Sequence, residues 1–132
     1  MASVTPISAV DYNNKFAVLN EQIYGYKHGI RPLVLQTMDA NDKDAIEKRL
    51  KRDNLNYHLA PTPNGKNLNV FLGDKACVDV IKSFGNEPLY NMSPEKDFML
   101  GILLGYDKTK QCERYLERKA KENGSNKLNV VA

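Results

Sequence analysis

LNYHLAPTPNGKNLNVFLGD, residues 55 to 74, decides the architecture. Leu55, Tyr57 and Leu59 alternate with Asn56 and His58, and Leu68, Val70 and Leu72 alternate with Asn69 and Phe71. That two-residue period belongs to half-buried strands. Between the two runs stands Asn64-Gly65, a dipeptide that tolerates the positive φ angles of a tight hairpin turn. Two antiparallel strands are therefore expected. Pro61 and Pro63 each lack a ladder donor, which confines that end of the hairpin to a sheet edge or a wide loop.

Downstream, KACVDVIKSF places Cys77, Val80, Ile81 and Phe84 on one helical face, with Asp74 positioned to cap the helix and Gly85 to end it. Ser93-Pro94-Glu95 combines an N-cap, a first-turn proline and a first-turn acid, so another helix starts there and runs to about Gly105. A last helix follows from Asp107 to Asn123. Upstream, RPLVLQTM, residues 31 to 38, fits a buried strand. DKDAIEKRLKRD, residues 42 to 53, follows a cap at Asn41 and carries Ile46 and Leu50 four apart, the narrow apolar stripe of a surface helix. Phe16 to His28 reads as a helix with Leu19, Ile23 and Tyr26 on one face, although Gly25 weakens it.

Residues 1 to 14 are expected as a flexible N-terminal arm, 15 to 123 as a single α/β domain, and 124 to 132 as a flexible tail. Within the domain, a strand, a helix and a second strand suggest a right-handed parallel crossover, with the third strand added antiparallel through the Asn-Gly turn. The expected class is α+β, a small mixed three-stranded sheet covered by about five helices. Three strands leave edges, and edges need cover from helices or a partner chain.

Composition bounds the function. The 132 residues suit one domain with one core, and 42% hydrophobic with 27% charged residues is ordinary globular usage. A net charge of +3 is too even for a dedicated nucleic-acid binder, and no helix-turn-helix spacing is evident. Two cysteines, Cys77 and Cys112, are too few for a disulfide scaffold and form no CxxC pair, which favours a reduced, cytoplasmic setting. The N-terminal residues show no secretory signal. The apolar run from Phe98 to Leu104 falls far short of the ~20 residues of a membrane span.

Familiar catalytic and nucleotide motifs are absent, and His28 and His58 lie on different elements, so no metal site or cofactor is expected. Three groups of residues remain. Gly73, Asp74, Lys75 and Cys77 stand at a helix start, where backbone amides can hold an anion or lower a thiol pKa; packing of Cys77 as a small hydrophobe is the plainer alternative. Lys48, Arg49, Lys51 and Arg52, with Arg31 upstream, offer a basic surface for an acidic partner, against the alternative of a solvated helix face. Phe98 to Gly105 is apolar all round, and Gly101 and Gly105 allow another backbone to approach. Phe98, Gly101, Ile102 and Gly105 are thus expected at a homodimer interface, with burial in the chain's own core as the alternative.

QIYGYKHGIRPLVLQT, NVFLGDKACVDVIKSF and SPEKDFMLGILLGYDKTKQCERYL resemble a small bacterial family known as the domain of unknown function number two thousand and twenty-three, over about residues 20 to 118. LGYDKTKQCERYL is the most specific part. The resemblance implies three strands with five helices in a homodimer, no assigned activity, and an accessory role beside flavodoxin, whose gene often neighbours the family's. It carries no catalytic role to Tyr106, Cys112 or Arg114. The expected function is a non-catalytic binding or regulatory partner in flavodoxin-dependent redox metabolism. The alternative is a phosphate- or nucleotide-binding protein, or a thiol-dependent enzyme, using the helix start at Asp74 to Cys77.

Overall fold

The computed structural model describes the backbone of residues 7 to 131 and the side chains of residues 15 to 124. Along the chain come α1 (Ile7–Lys27), β1 (Leu33–Asp39), α2 (Lys43–Arg52), β2 (Asn56–Pro61), β3 (Asn67–Gly73), α3 (Lys75–Ser83), α4 (Pro94–Leu103) and α5 (Lys108–Val131). Residues 1 to 6 of the expected arm and residue 132 of the expected tail lie outside the described residues. The backbone of residues 7 to 14 extends α1, and that of 124 to 131 extends α5.

The hairpin forms where the alternation places it. β2 and β3 pair with Leu59 opposite Val70 and Tyr57 opposite Leu72, and Gly65 takes a φ of 72° in the turn. β1 then pairs with β3 and not with β2, giving the order β1-β3-β2, antiparallel at both ladders. The mixed sheet expected from sequence is corrected accordingly. β1 and β2 do run in the same direction, as a crossover through α2 requires, but they leave a gap one strand wide. The tight Asn-Gly turn delivers β3 into that gap, so the only parallel relation in the sheet is between strands that do not touch.

Helices cover both faces. On one, Leu19 and Ile23 of α1 and Ile46 and Leu50 of α2 pack on Val34, Val70 and Leu72. On the other, Val78 and Ile81 of α3, Leu100 of α4 and Leu104 at its end pack on Leu33 and Phe71. Phe71 is 2% exposed because both sides of the central strand are buried. α1 and α2 are also stitched at their polar margins: Arg49 Nε donates to Asn20 Oδ1 at 2.7 Å, and Lys27 Nζ to Asp53 Oδ2 at 2.6 Å.

Capping follows the expected pattern at Ser93 and departs from it at Asn41. Ser93 Oγ accepts from the Lys96 amide, as its position before Pro94 predicts. Asn41 does not cap α2. It lies in a single 3-10 turn, Ala40–Asp42, and its amide donates to Asp39 Oδ1 at 2.8 Å. The tight turn needs its own acceptor, and Asp39 supplies it first.

Candidate functional site

The helix start after β3 is built by a close backbone approach. Gly73 has a φ of +155°, and a Cβ there would run into the Pro32 carbonyl oxygen and come within 2.9 Å of Leu33 Cα. The next amide, Asp74, donates to that same carbonyl at 2.9 Å. Asp74 then occupies the N-cap of α3, but its side chain makes no capping bond. Its carboxylate instead accepts the Tyr26 hydroxyl at 2.9 Å.

This arrangement sets the chemistry of the turn. Burial pushes the Cys77 thiol up, and the nearby Asp74 charge adds to that; both disfavour the thiolate. Burial and the bond to Asp74 likewise raise the Tyr26 phenol. A helix N-terminus can attract an anion, but here the carboxylate of Asp74 already stands beside it. Lys75, the expected cation of the site, pairs instead with Asp79 along α3 at 2.7 Å. Of the four residues named from sequence, Gly73, Asp74 and Cys77 come together and Lys75 turns away. Tyr26 joins them from α1, a contact no local pattern announces.

The basic residues divide. Arg49 is half-buried and engaged internally, with Asn20 and with Asp53, whose Oδ2 lies 2.9 Å from its Nη1. Asp53 also receives Lys27 and, at 3.6 Å, Arg52. These hydrogen bonds and charges, Lys27 first and Arg49 next, hold its carboxyl well below the usual range. Lys48 and Lys51 are exposed and have no ion pair among the described residues. Arg31 is half-buried just before β1 and beside Gly105. Leu33 and Asn56 both pair with Gly73, so Arg31 and the end of α2 lie at the same end of the sheet.

On α4, the space left by Gly101 is taken by the chain itself: a Cβ there would fall on the Gln111 carboxamide of α5. Phe98 tilts against Tyr115 with ring centroids 5.5 Å apart. Asp97 accepts from Arg114 at 2.7 and 3.2 Å, and Glu95 accepts the Tyr115 hydroxyl at 3.1 Å. Ile102 is half-buried, and Gly105 closes the helix with a φ of 80°. Met99 and Leu116 remain exposed outside this seam.

His28 stacks on Tyr24 with centroids 3.8 Å apart. His58 stands half-buried near Phe71, and burial, then the Lys82 charge, lower its pKa. Among the described residues no three His, Cys, Asp or Glu side chains are grouped to hold a metal ion, and no helix is long and apolar enough to cross a membrane.

Two cavities escaped the sequence reading. One, of about 570 Å³, runs along β2 between α2 and α3. The other, of about 560 Å³, opens between the hairpin and the segment after α3, over Phe71, Ile81 and Phe84. His58 lines both.

A family model described as a protein of unknown function, DUF2023, matches residues 17 to 118. None of the curated proteins matches the chain.

Proposed function

We propose, from the premise that this chain belongs to the DUF2023 family, that it is a non-catalytic binding protein which docks an acidic redox partner of the flavodoxin kind. Lys48, Lys51, Arg52 and Arg31 form the docking surface, and Arg49 holds α2 in place behind it. The observation that carries this reading is the uneven use of charge on α2. Asp53 is already served by Lys27, Arg49 and Arg52, while Lys48 and Lys51 face solvent without a carboxylate among the described residues. Such an uncompensated ridge attracts acidic surfaces and chiefly speeds encounter. The thiol alternative is weaker, because the surroundings of Cys77 raise its pKa.

Both cysteines are free, which supports a reducing, cytoplasmic setting. A homodimer is proposed on the same terms: with Gly101 filled by Gln111, a second copy would cover the outer side of the α4 and α5 pair, including Met99 and Leu116. Sedimentation that shows only monomer at micromolar concentration removes it.

Calorimetric titration with FMN-loaded flavodoxin at low and moderate salt tests the docking. Saturable binding that weakens with salt, and weakens further in a Lys48→Glu, Lys51→Glu double variant, is the expected result. A Kd no tighter than ~1 mM at low salt ends the proposal.

A further inference from the structure

Among the described residues, the sheet order leaves β2 with one neighbour, β3. Its hydrogen-bond pattern shows which groups face outward. The Thr62 amide donates to the Asn67 carbonyl, and bonded pairs alternate along an antiparallel ladder. Ala60, His58 and Asn56 therefore turn their backbone groups toward β3, opposite Asn69, Phe71 and Gly73. Tyr57 and Leu59 turn theirs to the free edge. No lysine interrupts this edge, and only Pro61, at its end, removes a donor. Edge strands are commonly blunted by charge, proline or a covering element; here α2 and α3 flank the edge and leave a groove between them.

The walls of the groove carry a directional charge. Glu47 is engaged by the Tyr57 hydroxyl at 2.9 Å, and Asp79 by Lys75. Lys43 and Lys82 line the same groove and make no ion pair within 4 Å among the described residues, although the Lys82 charge also acts on Asp79, already bonded to Lys75. Two ammonium groups without a direct ion pair among the described residues thus border an open row of backbone donors and acceptors. A second copy paired through β2 would set an excess of lysine against an excess of lysine. An acidic strand meets no such repulsion.

The apolar cleft continues from this groove at His58. His58 and Ala60 point to the α3 side of β2. A strand added beside β2 would place its residues opposite those two on the same side. The first would lie near Lys82, whose charge already acts on His58. The second, two positions along, would enter the cleft over Phe71, where the exposed ring of Tyr90 stands at the mouth. At about 560 Å³ the cleft has room for one large aromatic side chain.

We propose that the free edge of β2 is a strand-addition site for an extended acidic peptide, with one carboxylate on Lys82 and an aromatic residue two positions away in the cleft over Phe71. Affinity comes from main-chain hydrogen bonds to Tyr57 and Leu59, and selectivity from the two side chains on one face. This surface is separate from the basic ridge, so it can stand if flavodoxin does not bind.

Two fluorescein-labelled peptides, Thr-Thr-Glu-Val-Phe-Thr-Thr and the reverse order Thr-Thr-Phe-Val-Glu-Thr-Thr, cover the two strand directions. Anisotropy should show one of them binding in the micromolar range, and binding should fall by about tenfold or more in Lys82→Glu. It should vanish when the central peptide amides are N-methylated. Moving Glu next to Phe puts them on opposite faces and should also weaken it. Hydrogen exchange gives a second, variant-free reading: the Tyr57 and Leu59 amides should exchange freely in the protein alone and become protected with peptide. Failure of both peptides below ~1 mM, or binding that survives N-methylation, overturns the proposal. So does protection of both amides in the free protein that disappears on dilution, which would mean a second copy holds the edge.

Discussion

The Tyr26 hydroxyl donates to Asp74 Oδ1 at 2.9 Å and ties the end of α1 to the start of α3. The carboxylate that could have capped the helix is thereby held beside Cys77, where it opposes ionisation of the thiol. In the native protein Cys77 should therefore react slowly with a thiol reagent at neutral pH, while exposed Cys112 reacts promptly. Asp74→Asn removes the smaller of the two causes, burial being the larger. It should speed Cys77 labelling without bringing it to the rate of Cys112, because burial of the thiol remains. Mass-resolved alkylation kinetics read both sites at once, and a Cys77 that outruns Cys112 would contradict this account.

Gly73→Ala should be among the most damaging substitutions of its size. The added methyl meets backbone, the Pro32 carbonyl and Leu33 Cα, and backbone cannot swing aside as a side chain can. With an unfavourable φ added, the loss should be on the order of 3 kcal/mol, measured as a shift of the urea midpoint with an unchanged slope.

Gly101 presents the opposite case. Its missing Cβ is filled by the far end of Gln111, a flexible side chain. Gly101→Ala should be nearly neutral, because the helix propensity gained, about 1 kcal/mol, offsets the displacement of Gln111. Adding Gln111→Ala relieves the contact, and the double variant should melt above the wild type. A double variant less stable than either single one would show that Gln111 holds α5 by more than its fit.

Stability should fall in acid through two carboxylates. The ammonium of Lys27 and the guanidinium of Arg49 depress Asp53, and the Arg114 hydrogen bonds depress Asp97. Unfolded aspartate titrates near about 4, so each contribution is complete above that value and is lost as pH falls toward the lower folded value. The difference in urea midpoint between the wild type and Asp53→Asn should be open at pH 7 and narrow progressively below about pH 4. A gap independent of pH would show that the amide differs from the carboxylate by packing alone.

The hairpin, α3 and the start of α4 were legible because their signals are local. Asn64-Gly65 specifies the turn, and Ser93-Pro94 the helix start, within a few residues. Strand order was not legible, because which strand fills the gap beside β1 depends on the short hairpin connection competing with the α2 crossover. β3 did carry a hint: Val70-Phe71-Leu72 is continuously apolar, the mark of a strand covered on both sides. The candidate sites fared unevenly for the same reason. Gly73, Asp74 and Cys77 are neighbours in sequence and in space, whereas Tyr26 reaches Asp74, and Gln111 reaches Gly101, only through the tertiary fold.

The central place of β3 also orders the assembly of the chain in time. β1 has no strand partner until β3 exists, and β3 is made only after α2 and β2. As the chain grows from its N-terminus, the parts of α1 and α2 that pack on Val70 and Leu72, and the pairing edge of β1, stay uncovered until residues 67 to 73 appear. The β2 and β3 hairpin can close at once, being local, and long-range pairing to β1 follows at greater entropic cost. That interval is when nascent chains of this kind are most open to capture by a chaperone or by one another.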